Sequence, residues 1–264
     1  MRKLILLFVS VATVLSVQAW DGIGNPATRA FAKQFMTPEA QRENARIWRL
    51  GKKYPAEKNT AKPTDERWGK VSLDADLRST TTNEEDIVVR IECAVEVLRN
   101  SEKHSNTEQF EALETLRRLM IELHTISRIA IEGVEHSQHD FEFTWSGNRE
   151  GPSPDKRDKY ETRGKLTWSK MWNSSFCGWH QGWSLNYYAY DIDLRFGRIR
   201  EQAMQGTVRD WAHEVGERAK PMYEWAKPDM LLRNEPRLRL EDIHLEMVAR
   251  SAYRLAAIMN SVVK

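Results

Sequence analysis

Cysteine is scarce in this chain: only Cys93 and Cys177 occur among 264 residues. Two cysteines exclude a disulfide-framed scaffold and any paired Cys-x-x-Cys metal or redox site. Long apolar runs are missing too, apart from Leu4 to Val17, which is shorter than the roughly 20 residues a membrane-spanning helix needs. No Gly-rich phosphate loop is present, and no Gly-x-Ser-x-Gly elbow. Nor does one sign of charge dominate, with 40 Lys and Arg against 38 Asp and Glu. Such balance disfavours a nonspecific nucleic-acid binder that works by bulk electrostatics, yet leaves room for a local basic pocket.

What is there begins at the amino terminus. Arg2 and Lys3, the apolar run and then Val17-Gln18-Ala19 read as a secretory signal peptide over residues 1–19. No cysteine follows the cleavage site, so a lipoprotein anchor is not indicated. The mature chain, 20–264, is expected to be exported, periplasmic or extracellular, and to begin at Trp20. A free amino-terminal residue can bind a metal through its amine and carbonyl. Export would permit a Cys93–Cys177 disulfide, while the helical setting of Cys93 favours a buried free thiol.

Helical patterns dominate the rest. Thr37-Pro38-Glu39 opens a helix towards Leu50. Thr82 with Glu85 predicts a capping box, followed by Ile87, Val88, Ile91, Val95 and Leu98 at helical spacing. Ser105 with Glu108 predicts a second box and a helix over 107–132, with Gly133 as its terminator. A late helix covers 240–262. Phe141, Phe143 and Trp145 alternate with polar residues, which predicts a short strand. The expected fold class is all-α: one helical domain with a small β-hairpin or long loop around 136–164.

With those elements placed, the chain resembles the S-one/P-one type zinc-dependent single-strand nucleases, whose helical fold is shared with bacterial zinc phospholipase C. The family's opening Trp-Gly-x-x-Gly-His looks like Trp20-Asp-Gly-Ile-Gly24-Asn25. Its Leu-Thr-Pro-Glu-Ala looks like Met36-Thr37-Pro38-Glu39-Ala40, and its Trp-His-Tyr-Val looks like Trp68-Gly69-Lys70-Val71. Its core-helix His-Leu-Val-Gly-Asp-Ile-His-Gln-Pro-Leu-His looks like Arg118-Leu-Met-Ile-Glu122-Leu-His124-Thr-Ile-Ser-Arg128. Its Asn-Leu-His-x-Val-Trp-Asp-Ser looks like Thr167-Trp168-Ser169-Lys170-Met171-Trp172-Asn173-Ser174. The closing Arg-Leu-Ala-x-x-Leu-Asn looks like Arg254 to Asn260.

The resemblance implies phosphodiester hydrolysis at three zinc ions held by the terminal Trp, five His and three Asp. Carried over by position, Trp20 is kept, and Glu57 is the best candidate for an early Asp. The other positions are replaced by Asn25, Gly69, Arg118, Glu122, Arg128, Ser169 and Asn173. Asn, Gly and Ser are poor zinc ligands, and a guanidinium stays protonated. Trp20, Glu57, Glu122 and His124 are therefore vestigial metal candidates only. Arg118 and Glu122 are four apart on one helix and are expected to pair. Arg118 and Arg128 together predict an anion site for a phosphate, nucleotide or nucleic acid.

The resulting expectation is a catalytically inactive, exported homologue with a binding or structural role and no required cofactor. The competing expectation is a phosphodiesterase that keeps one zinc on Trp20, Glu57, Glu122 and His124 or His136. A third is a metal-free hydrolase using carboxylates. His136-x-x-His139-Asp140 could bind a metal on a turn, although a loop pair of histidines is more often solvated. His124 alone on an apolar face reads as a hydrogen-bonded core histidine. Trp168, Trp172, Trp179, Trp183, Tyr187 and Tyr188 either stack a ligand or wedge a loop against the core. No protein partner is implied.

Overall fold

The computed structural model describes residues 24–53, 69–148, 161–176 and 184–263. The expected signal peptide, Trp20, Glu57, Cys177, Trp179, Trp183 and most of the loop expected over 146–164 lie outside the described residues. The described residues are mostly helical and hold two small sheets. Helices α1 (Gly24–Gln34) and α2 (Pro38–Lys53) are followed by strand β1 (Val71–Leu73) and by helices α3 (Ile87–Arg99) and α4 (Asn106–Leu123). Strand β2 (Ile129–Ile131), the short α5 (Glu135–Gln138) and the β3–β4 hairpin (Glu142–Asn148, Glu161–Thr167) come next. Then come α6 (Trp168–Lys170), α7 (Leu185–Phe196), α8 (Arg200–Ala203), α9 (Val208–Trp225), β5 (Leu231–Leu232) and α10 (Asn234–Val262).

Local chemistry starts the helices. Thr37 Oγ1 accepts from Ala40 N at 3.2 Å, so the expected α2 start holds. Ser105 and Glu108 form the expected reciprocal capping box at α4. The box expected from Thr82 and Glu85 is not the start of α3. Asp86 caps it instead, with Oδ1 accepting from Val88 N and Oδ2 from Ser72 N, both at 2.8 Å. One buried carboxylate thus satisfies an orphan helix donor and ties α3 to β1. Burial raises the Asp86 carboxyl above its ordinary value, while the bonds from Ser72 and Val88 oppose that rise.

Helix α10 is 29 residues long and packs against α1, α2, α3, α4, α7 and α8. Met247, Ser251, Leu255, Ile258 and Val262 fall on its buried face, as their spacing predicts. The loop between α1 and α2 is held to its end: Asn260 Oδ1 accepts from Thr37 N at 2.8 Å, and Asn260 Nδ2 donates to Phe35 O at 3.1 Å.

Three expectations are corrected. The 107–132 helix stops at Leu123, because Thr125 is extended and its Oγ1 donates to Ile121 O at 2.8 Å. The apolar run Ile129-Ala130-Ile131 then forms a fully buried strand, parallel to β1. A short apolar run reads equally as helix or buried strand, and here the flanking turn decides. Gly133 is consequently not a helix terminator but a left-handed turn residue after β2, at φ +78°. Cys93 is exposed, not buried: Ile87, Ile91, Ala94 and Leu98 form the packed seam of α3, and Cys93 lies off it. The predicted strand at 141–145 is present, although its hairpin extends to Thr167 and β5 adds a third strand beside β3. No helix among the described residues is long and apolar enough to cross a membrane.

Candidate functional site

The centre of the site is Glu122, in the last turn of α4 and fully buried. Arg118, one turn earlier, donates Nε to Glu122 Oε1 at 3.0 Å. After α4 ends, a 3-10 turn over Ile126–Arg128 folds the chain back, fixed by Arg128 N donating to Thr125 O at 2.8 Å. Arg128 Nε then donates to Glu122 Oε2 at 2.8 Å. Arg118 is 8% exposed and Arg128 6%, so all three charges sit inside the protein. Buried ions are tolerated when they are paired with good geometry, and each Glu122 oxygen here has its own charge-assisted donor.

The triad sets two guanidiniums around one carboxylate. Lys70 and Asp140 add one charge of each sign nearby. Burial, and then Arg128, lower the Lys70 amine from its ordinary value, with Asp140 acting in the opposite direction. The Lys70 amine donates to Gln138 O. Asp140 Oδ1 accepts from Ser169 N at 2.8 Å and from Phe141 N at 3.1 Å, which pins the start of α6 to β3.

Asn173 belongs to a π-helical turn, Met171–Ser175, packed against the Ile126–Arg128 turn. Its side chain is fully buried, and neither Oδ1 nor Nδ2 has a hydrogen-bond partner among the described residues. An unpartnered buried amide costs roughly 1–3 kcal/mol. π-turns recur at functional sites. Trp168 and Trp172 are buried: Trp168 stacks on Phe141, meets Phe143 and Trp172 edge-on and is tilted against Tyr223, and Trp172 meets Phe176 edge-on. Of the two roles foreseen for these tryptophans, they take the packing one. Tyr188 is buried as well, whereas Tyr187 is half exposed on α7. The His244 ring, also buried, stacks on Phe176 at 5.1 Å.

His124 caps α4, fully buried. Its Nδ1 lies 2.7 Å from Met120 O and its Nε2 lies 2.9 Å from Arg254 Nη1. A guanidinium only donates, so Nε2 accepts and Nδ1 carries the proton. Burial, and next the charge of Arg254, push the imidazole well below its ordinary value. Arg254 is itself buried, donating Nε to Ala203 O at 3.1 Å and Nη2 to Glu214. Burial brings its guanidinium down to about 10, still charged at neutral pH. Ser251 Oγ also donates to Met120 O, at 3.1 Å. A polar seam thus joins α4, α9 and α10 through the core.

Do these residues suit zinc? Glu122 has both oxygens engaged by cations, and both His124 nitrogens are committed within the core. Gly69 has φ +72°, and a Cβ built there would lie 2.2 Å from Glu85 O. That backbone therefore has no room for an imidazole or any other side chain. Ser169 contributes its backbone N–H to Asp140, and Asn25 lies in the first turn of α1. His136 stands against the Phe141 ring at 5.6 Å, and His139 is exposed. Among the described residues no group of three or more His, Cys, Asp or Glu is placed to hold a metal ion. The donor set does not fit the zinc cluster that the resemblance implies. Trp20 and Glu57 fall outside the described residues.

Sequence reasoning brought together Arg118, Glu122 and Arg128. It missed Lys70, His244 and Glu214, whose placement depends on contacts distant in the chain, and it read Asp140 with His136 and His139 rather than beside Lys70 and Ser169. No family model matches the sequence, and no curated protein matches it either.

Proposed function

We propose that this is an exported, catalytically inactive relative of the zinc-dependent single-strand nucleases, with a binding or structural role. The observation that carries the reading is the Arg118–Glu122–Arg128 triad, at positions where the resemblance puts zinc ligands. Guanidinium replaces metal as the counter-charge for the carboxylate. No residue set among those described lowers the pKa of a water or polarises a phosphoryl oxygen in the way a zinc cluster does. The two guanidiniums of the triad, with the buried amide of Asn173 beside them, suit a small anion such as phosphate better than a dication.

The test uses protein processed at Trp20 with a free terminal amine. Zinc content should stay below about one ion per chain, since losing even outer-shell support costs roughly 10–100-fold in affinity. Added zinc should not produce hydrolysis of single-stranded DNA, RNA or nucleotide monoesters. Stoichiometric zinc, with hydrolysis abolished by Glu122→Gln in a protein that still folds, would overturn the proposal.

A further inference from the structure

A second cationic region lies on the outside of the fold and shares no residue with the triad. Helices α1, α2 and α4 border a groove of about 660 Å³. Arg29, Lys33, Arg42, Arg49 and Arg117 line it, and no described carboxylate does. Two acids stand behind these cations. Glu39 pairs with Arg42, and Glu114 pairs with Arg117 at 2.8 Å and Arg29 at 4.0 Å. Five cations less two carboxylates leave a surplus of three positive charges. Lys33 and Arg49 have no ion-pair partner among the described residues, and Arg29 Nε is buried without a hydrogen-bond partner.

Trp48 sits among these cations with 38% of its surface exposed. The Arg117 guanidinium lies over its ring, 4.9 Å from the centroid, and Phe110 abuts it at 5.9 Å. Pro38 and Ala45 extend the apolar floor. Exposed Trp with flanking Arg is the composition of protein-binding hot spots. The ring face under Arg117 is closed to a stacking base, which sequence-tolerant single-strand binding requires. A concave groove also suits a chain segment better than a planar bilayer surface.

We propose that this groove docks an acidic segment of a partner protein, with carboxylates towards Lys33, Arg42 and Arg49 and an apolar side chain on Trp48. This goes beyond the loss of the zinc site and stands independently of it. The part of α2 that lines the groove, from Pro38 to Arg49, runs roughly 17 Å. An extended segment of about five residues spans roughly the same distance.

The probe is a fluorescein-labelled peptide of about five residues alternating Glu and Leu, followed by anisotropy on the mature protein. Saturable binding is expected, weakened by high salt as the Debye length shrinks to about 3 Å at 1 M. Arg42→Glu with Arg49→Glu should weaken it at least about tenfold, with the circular dichroism unchanged. Lys33→Gln alone should weaken it by a smaller factor, so the reading does not hang on one variant. A Lys/Leu peptide should not bind. The proposal fails if the acidic peptide binds no better than the Lys/Leu peptide, or if the charge reversals leave binding unchanged. It also fails if oligothymidylate or phosphatidylglycerol vesicles bind at this groove and the acidic peptide does not.

Discussion

Arginine is used in two opposite ways on the buried and the outer faces of α4. At its carboxyl end, Arg118 and Arg128 are buried around Glu122, and Arg254 is buried between Glu214, Ala203 and His124. On its outer face, Arg117 joins Arg42 and Arg49, of which the last two are exposed and only loosely engaged. The same guanidinium therefore carries very different consequences. Inside, the desolvated charge must be matched, so each partner is structurally indispensable. Outside, water screens the charge, each pair contributes little, and the cations remain available to an incoming anion.

The sharpest way to break this contrast is to remove the inner carboxylate. Glu122→Ala leaves two buried guanidiniums without their shared counter-ion and should cost about 3–5 kcal/mol of stability, read from urea midpoints. A triple change of Arg118→Met, Glu122→Leu and Arg128→Met removes the whole charge set and should cost far less, or even stabilise by roughly 1–4 kcal/mol. If the single and triple variants lose stability equally, the triad is packing rather than electrostatics.

Next in size is the position that resembles a zinc-binding histidine. Gly69→His forces a side chain onto a left-handed backbone, which costs about 1–3 kcal/mol in conformational strain alone. It also meets Glu85 O, at 2.2 Å from the built Cβ. Zinc should not raise the thermal midpoint of this variant. A zinc-dependent rise would show that the backbone relaxes to accept the ligand and that the site is recoverable.

These predictions also show what was legible in the chain. The Arg118–Glu122 pair follows from helical spacing, and the Ser105 box from its residue types. Arg128 joins the triad only because Thr125 ends α4, which the continuing apolar residues Ile126, Ile129 and Ile131 concealed. Asp86 took the cap from Thr82 because it also satisfies Ser72 in β1, a contact that spacing does not reveal. The tie between Arg254 and His124 spans 130 residues, and that between Arg254 and Glu214 spans 40. Local pattern reports local pairing, and the long-range polar seam needed the fold.

The His124 seam makes a pH prediction of intermediate size. The folded imidazole resists protonation, while the unfolded one titrates near 6.5. Below that value the unfolded chain binds more protons, so stability rises with pH across the window from the folded value up to about 6.5. Stability is fully present above the window and declines as the pH falls through it, by about 1.4 kcal/mol per pH unit at most. His124→Gln should flatten this slope between pH 5 and 7. A variant with the wild-type slope would assign the titration to another group.

The smallest effect belongs to the outer groove, and its smallness is the point. Arg42→Glu with Arg49→Glu breaks the Arg42–Glu39 pair, whose side chains are 70% and 54% exposed. Water screens such a pair on all sides, so it contributes little to stability. Arg49 gives up only an Nε donation to Ala45 O at 3.1 Å, one turn back in its own helix. The double variant should therefore stay within roughly 0.5–1 kcal/mol of wild type in urea, despite a four-unit change in net charge. If stability falls instead by more than about 2 kcal/mol, the groove arginines are structural like those around Glu122. The two regions would then no longer differ in kind, and loss of peptide binding in the reversed variant would report a damaged fold rather than a lost docking site.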